Sequence, residues 1–222
     1  MMGPLIFNKR PMSTICLSTA YLAPVSYYTQ LMAGERVVIE QCENYVKQTY
    51  RNRALIATAS GVMPLTIPVE HKGGEKILMR DLRISDHGNW RHLHWQALQA
   101  AYDKSPFFEY YADDFRPFYE GRPTHYLLEF NQMLQQLVCS LLNLNVEPQL
   151  TQEYEKEGDF IDLRYDISPK KPCIIANPEP YYQVFAPSQG FLSDLSIVDL
   201  LFNMGPEALL VLKKQCGEKS AL

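Results

Sequence analysis

Apolar and polar positions change their period partway along the chain. The run Thr14-Ile15-Cys16-Leu17-Ser18-Thr19-Ala20 reads as a buried strand. Pro24 then opens and Gly34 closes a short helix carrying Tyr27, Tyr28, Leu31 and Met32, and Val37 to Ile39 reads as a second strand. A strand, helix, strand order over so few residues is the smallest right-handed crossover, so the two strands are expected to be parallel. Ala54 to Thr58 and Pro64 to Val69, separated by Ser60-Gly61, read as a hairpin, and the proline inside the second arm confines that arm to a sheet margin. His71-Lys72-Gly73-Gly74 is a loop, and Ile77 to Ile84 reads as a further strand.

From Asp86 the period becomes helical. Trp90, Leu93, Ala97, Leu98 and Ala101 recur at spacings of three and four and predict an amphipathic helix to about Asp103, with Asp86 placed as its N-cap. Ser105-Pro106 reads as the cap and first turn of an aromatic helix over Phe107 to Tyr111. Thr124 caps a longer helix whose Leu127, Phe130, Leu134, Leu137, Val138, Leu141 and Leu142 form an apolar face wide enough to cover a sheet. Beyond Asn145 the pattern is mixed. Phe160 to Tyr165 and Cys173 to Ala176 are short strand readings, and two last helices are expected from about Leu195 to Phe202 and, after Pro206, to about Cys216. The class is therefore α/β, with a small mixed sheet in the N-terminal half covered by helices of the C-terminal half. Residues 1–222 read as one domain with a short flexible N-terminus of about 12 residues, since no linker, repeat or low-complexity tract divides them.

Composition narrows the class of partner. The 46% hydrophobic and 12% aromatic content of 222 residues can fill a sizeable core. A net charge of -4 argues against a general nucleic-acid binder, because a phosphate backbone calls for a broad positive face. Five scattered cysteines without a C-x-x-C pair suggest neither a zinc site nor a disulfide framework, so no metal and no cofactor is expected. Cys139, within an apolar helix, reads as a small buried hydrophobe. No signal peptide and no membrane span is visible, and a cytoplasmic protein is expected.

One segment departs from the acidic balance. Tyr45-Val46-Lys47-Gln48-Thr49-Tyr50-Arg51-Asn52-Arg53 crowds three cations, two tyrosines and two amides into nine positions just after a strand. Arginine offers a planar fork matched to carboxylate or phosphate, lysine adds a point charge, and tyrosine stacks or donates. The segment thus suits a small anionic ligand, with a solvated basic loop as the plain alternative. Gly-rich dinucleotide turns, Walker loops, G-x-S-x-G elbows and H-E-x-x-H are absent. His94 shares a helical face with Trp90 four residues earlier and is a candidate general base in an aromatic pocket, or else a hydrogen-bonded core histidine. His92 points about 200° away from it, so the two cannot share one metal unaided. Gly158 to Arg164 alternates charge with apolar residues as a half-exposed strand does, and its aspartates alone make no metal site.

Taken together, several segments resemble the WbqC-like proteins, a family named for a product encoded among bacterial surface-polysaccharide genes. They are Tyr21-Leu22-Ala23-Pro24 with Tyr27-Tyr28, residues 45–53, Leu65-Thr66-Ile67-Pro68-Val69, Trp90 with His94, Tyr102 with Ser105-Pro106-Phe107-Phe108, and Leu195 to Gly205. The resemblance spans about Thr14 to Gly205 and implies a cytoplasmic protein of polysaccharide assembly without supplying catalytic residues. Ser18-Thr19-Ala20-Tyr21 departs from the family, which often places an amide before Tyr-x-x-Pro. With that resemblance, Ser196, Asp199 and Asn203 line one side of the helix from Leu195, where Asp199 holds a backbone group or an arginine in a capped core helix, pairs with the Lys47, Arg51, Arg53 cluster, or orients His94.

Two function classes follow. The first is a transferase acting on a nucleotide-activated or amino sugar, by acyl or aminoacyl transfer. In it Lys47, Arg51 and Arg53 hold phosphate or carboxylate, Tyr21 and Tyr45 stack on a ring, Tyr50 and Asn52 assist, and His94 and Asp199 are catalytic. The second is a noncatalytic interaction or small-ligand-binding protein of the same pathway, using the aromatic run Phe107 to Tyr119 and the last helix. A homodimer is open to either.

Overall fold

The structure, a computed structural model, describes residues 14–71 and 74–217. The expected flexible N-terminus and residues 72–73 of the loop lie outside the described residues. Strand β1 (Thr14–Ser18) feeds helix α1 (Val25–Ala33) and returns as β2 (Arg36–Glu40). The two strands pair in parallel, Thr14 opposite Arg36 and Ser18 opposite Glu40, as the short crossover predicts. Two strands of two residues each complete the sheet: β5 (Gln149–Leu150) beside β2 and β6 (Ile161–Asp162) beside β1. The order is β5-β2-β1-β6, and every pairing is parallel. Mixed character comes from a separate antiparallel hairpin, β3 (Arg53–Thr58) with β4 (Gly61–Thr66), in which Pro64 stands opposite Leu55. Gly61 at φ +112° is the turn position where a side chain would be strained.

Side-chain alternation then separates the two faces of the parallel sheet. Ile15, Leu17, Val37 and Ile39 are buried in the main core, while Thr14, Cys16, Arg36, Val38 and Glu40 border a cavity on the other face. Helices supply the rest of the core. Helix α4 (Leu127–Leu141) buries Leu127, Phe130, Leu134 and Val138, the stripe its periodicity predicts. Helices α2 (Trp90–Tyr102) and α3 (Phe108–Glu120) pack on each other and on α6 (Ile197–Met204), which also meets α7 (Ala208–Gln215), while the short α5 (Ala186–Gln189) buries no residue.

Several local expectations change; Thr124 lies before the Tyr126 cap position of α4, and the strand expected over Phe160 to Tyr165 shrinks to Ile161–Asp162. Ile77 to Ile84 forms no ladder: a 3-10 turn at Met79–Asp81 turns Met79, Leu82 and Ile84 into the core, leaving isolated bridges at Leu78 and Ile84. Helix α2 begins at Trp90, not after Asp86, because Gly88 at φ 76° and Asn89 at φ 46° break the backbone. Asp86 makes no capping bond and instead accepts from Arg91 and Arg122. Helix α3 runs on through Pro117 to Glu120, well past the aromatic run. Cys173 to Ala176 pairs with no strand.

Candidate functional site

Open parallel sheets place ligands at the carboxyl ends of their strands, where the chain order reverses. Here the reversal lies between β1 and β6, since β2 and β5 extend the sheet to the opposite side. Buried ion pairs fill that edge. The Arg51 guanidinium donates to both oxygens of Glu43, Nε to Oε1 at 2.8 Å and Nη2 to Oε2 at 2.6 Å, and to Ser18 Oγ at 2.7 Å. It also lies over the Tyr165 ring, and the Asn131 side chain of α4 clamps its carbonyl at 2.8 Å. Arg164 grips Asp162 with two bonds of 2.9 and 2.7 Å, reaches Glu40 at 3.3 Å, and sits between Tyr154 and Phe160. Removing both guanidiniums from water is tolerated because carboxylates face them, Glu43 at Arg51 and Asp162 with Glu40 at Arg164.

Beside this edge, on the outer face of the sheet, lies a cavity of about 510 Å³. Parallel sheets are normally covered on both faces. Here the segment after β5 forms a wall instead of a helix. The wall carries Gln152, Glu153, Glu155 and Asp159, with Phe160 as its aromatic surface and Arg36 as a cation on the rim. Glu40 closes one end and is fully engaged: Oε1 accepts from the Cys42 amide and the Thr151 hydroxyl, and Oε2 from Arg164. Cys16 on the floor is no nucleophile, since burial pushes its thiol up to about 12. Carboxylates, amides and one ring suit a ligand with hydroxyls and an amine. Among the described residues no group of three or more His, Cys, Asp or Glu is placed to hold a metal ion.

The predicted site residues are distributed over three places. In residues 45–53, Lys47 is exposed, Arg51 is 3% exposed, and Arg53 starts β3 with Nε on Thr66 Oγ1 at 3.2 Å. Tyr45 meets the His71 ring edge-on and lies near Arg51 and Arg53, which oppose the upward push of burial on its hydroxyl. Tyr50 is buried, its carbonyl accepting from the Tyr21 amide, and Asn52 donates to the Ile67 carbonyl. Lys47 and Arg53 are the cations of this segment without an ion-pair partner among the described residues.

His94 lies in the core under α2. Its ring stacks on Tyr21 and meets Trp90 edge-on. One nitrogen bonds the Thr66 backbone, and Nδ1 lies 3.0 Å from the Tyr21 hydroxyl. The Tyr21 oxygen also lies 2.9 Å from that of Tyr119, with which it shares a hydrogen bond. Burial lowers the His94 pKa to about 4 despite the backbone bond, so the ring is neutral at pH 7. Tyr21, with no exposed surface, stacks on this histidine.

Asp199 sits in a third place. Its carboxylate accepts from Tyr102 at 3.0 Å, Tyr181 at 2.7 Å and Gln183 at 2.8 Å, and burial raises its pKa against these three donors. Ser196 donates to the Leu22 carbonyl and Asn203 to the Asp199 carbonyl, so the polar side of α6 ties down neighbouring backbone. The aromatic run of α3 is mostly core as well: Phe108, Tyr111, Phe115 and Tyr119 are buried, and Tyr110 is exposed. Sequence reasoning missed the cavity wall. Two-residue strands leave no periodic signal, although the charge alternation at Gly158 to Arg164 touched its border.

A model of the WbqC-like protein family matches residues 19–171, from just past β1 to beyond β6. A Mycobacterium tuberculosis protein named "Uncharacterized protein Rv1507c" is 24% identical, over 85% of this chain and 92% of its own length. No solved structure matches. Among the described residues no helix is long and apolar enough to cross a membrane.

Proposed function

We propose that this chain, which belongs to the WbqC-like protein family, is a transferase that acts on an amino sugar in bacterial surface-polysaccharide assembly. The cavity on the outer face of the sheet carries the reading. About 510 Å³ accommodates a sugar ring with part of its activating group, and its wall presents Glu153, Glu155 and Asp159 against Arg36, the one cation among the described residues that line it. Such a wall attracts an ammonium and repels a bare phosphate. Gln149 and Gln152 offer amides to vicinal hydroxyls, and Phe160 offers a ring face to the sugar's C–H surface. For acyl transfer one of these carboxylates takes a proton from the ammonium, the freed amine nitrogen attacks the acyl carbonyl, and as the new C–N bond forms and the bond to the donor's leaving group breaks, the second proton lost from nitrogen goes to that leaving group. His94 and Asp199 then serve the fold that carries the site. Within the basic nonapeptide, Lys47 and Arg53 remain able to meet an anionic donor.

Calorimetry with glucosamine, UDP-N-acetylglucosamine and glucose tests the reading. Glucosamine should bind more tightly than glucose, and Asp159→Asn with Glu153→Gln should remove most of that difference. No binding of any of the three, or equal binding of glucose and glucosamine, overturns it.

A further inference from the structure

The second chemical feature of the molecule lies away from the sheet, where α2 and α3 pack side by side. A groove of about 620 Å³ and a smaller cavity of about 200 Å³ meet there and share Asn89, Tyr119 and Glu120 as walls. His92, Gln96 and Gln99 succeed one another at spacings of four and three, so one face of α2 presents an imidazole and two amides, all exposed, along the groove. The smaller cavity is different in kind. Trp90, Arg91 and Arg122 line it at the start of α2, a 13-residue helix with no side-chain cap. Trp90 is 4% exposed, yet its indole N–H has no partner among the described residues, and neither has the Arg91 Nε–H. Buried donors are normally paired, so two orphans at one cavity call for an acceptor from outside the chain. Asp86 supplies one carboxylate to two guanidiniums, Arg91 at 2.9 Å and Arg122 at 2.9 Å, which leaves one positive charge over. Glu120, the other acid here, lies 3.8 Å from Arg116, which it shares with Asp113 at 3.2 Å.

We infer that this groove is a second ligand site, for a phosphorylated sugar. Its phosphate sits in the small cavity against Arg91, Arg122, the Trp90 indole N–H and the positive end of α2, and its hydroxyls meet His92, Gln96 and Gln99. The site is distinct from the carboxylate-walled cavity and selects the opposite charge.

The chain's two tryptophans, Trp90 and Trp95, both line this groove, so their fluorescence reports on it and not on the sheet cavity. Titration of the wild type with glucose 1-phosphate should give a saturable change in emission, with inorganic phosphate binding more weakly and glucose not at all. Arg122→Gln, an exposed substitution that spares the core, should weaken glucose 1-phosphate by at least about tenfold, as the loss of a charge-assisted contact does. Trp90→Phe keeps the ring, removes the N–H and leaves Trp95 as reporter; it should weaken binding by about fivefold or more. No saturable response to glucose 1-phosphate, or unchanged affinity in Arg122→Gln, overturns the inference. Equal affinity for glucose and glucose 1-phosphate overturns it too. Because calorimetry with glucosamine reads the sheet cavity, the failure of either site is distinguishable from failure of the other.

Discussion

At the carboxyl-terminal edge of the parallel sheet, Glu43 and Arg51 are buried as a two-pronged ion pair, whereas under α2 His94 is buried as a neutral ring between the Thr66 backbone and a phenol. Both regions hide titratable groups, but only the first hides compensated charge. The contrast shows how misleading a dense set of donors is when read along the chain. Arg51 carries the chemistry of an anion-binding residue, and its anion is already inside the protein. The three cations of one nonapeptide therefore have three fates: paired and buried, half-buried on a strand, and solvated.

The largest expected effect tests the paired half of this contrast. Arg51→Ala leaves Glu43, which is 1% exposed, as an unpaired buried carboxylate, and should cost about 3 to 5 kcal/mol in urea denaturation. Arg51→Met with Glu43→Leu should recover most of that loss, because the pair's attraction mainly offsets its own desolvation. A loss below about 1 kcal/mol in the single variant would mean the edge is open to water.

The neutral half is read by pH. The folded-state pKa of His94 is lowered to about 4 from 6.5, so between these values the unfolded chain binds a proton that the fold rejects. The resulting stability is full above about pH 6.5 and is lost as the pH falls toward 4, by about 3 kcal/mol. His94→Gln should abolish that share of the acid dependence in thermal melts at pH 4 to 7. An identical pH slope in wild type and variant would refute the buried neutral ring.

Asp199 sharpens the comparison from the other side, as a buried carboxylate held by hydroxyls and an amide without a cation. Asp199→Ala leaves the donors of Tyr102, Tyr181 and Gln183 facing a void and should cost about 2 kcal/mol. Because its folded pKa is raised, the fold holds this proton more tightly than the unfolded chain does. The gap between wild type and variant should narrow as pH rises through that raised pKa, and a gap that widens with pH would contradict it. The smallest effect is expected at Lys47. Lys47→Ala should change stability by less than about 0.5 kcal/mol by the same denaturation, against the several lost at Arg51.

By itself the sequence determined the elements whose residues repeat over a long enough stretch. The β1-α1-β2 crossover, the hairpin around Gly61, the apolar stripe of α4 and the two closing helices all follow from periods of two or 3.6 with proline and glycine at their ends. It also marked residues with unusual company, and some of these the fold buries with partners: Tyr21 with His94, Arg51 with Glu43, Asp199 with Tyr102. Only the tertiary structure decided which of them face each other, since a partner 73 or 97 residues away leaves no local trace. The same holds for β5 and β6. A two-residue strand is set by the edge it pairs with and not by its own propensity, so the open sheet face and its acidic cavity exist only once the chain has closed on itself.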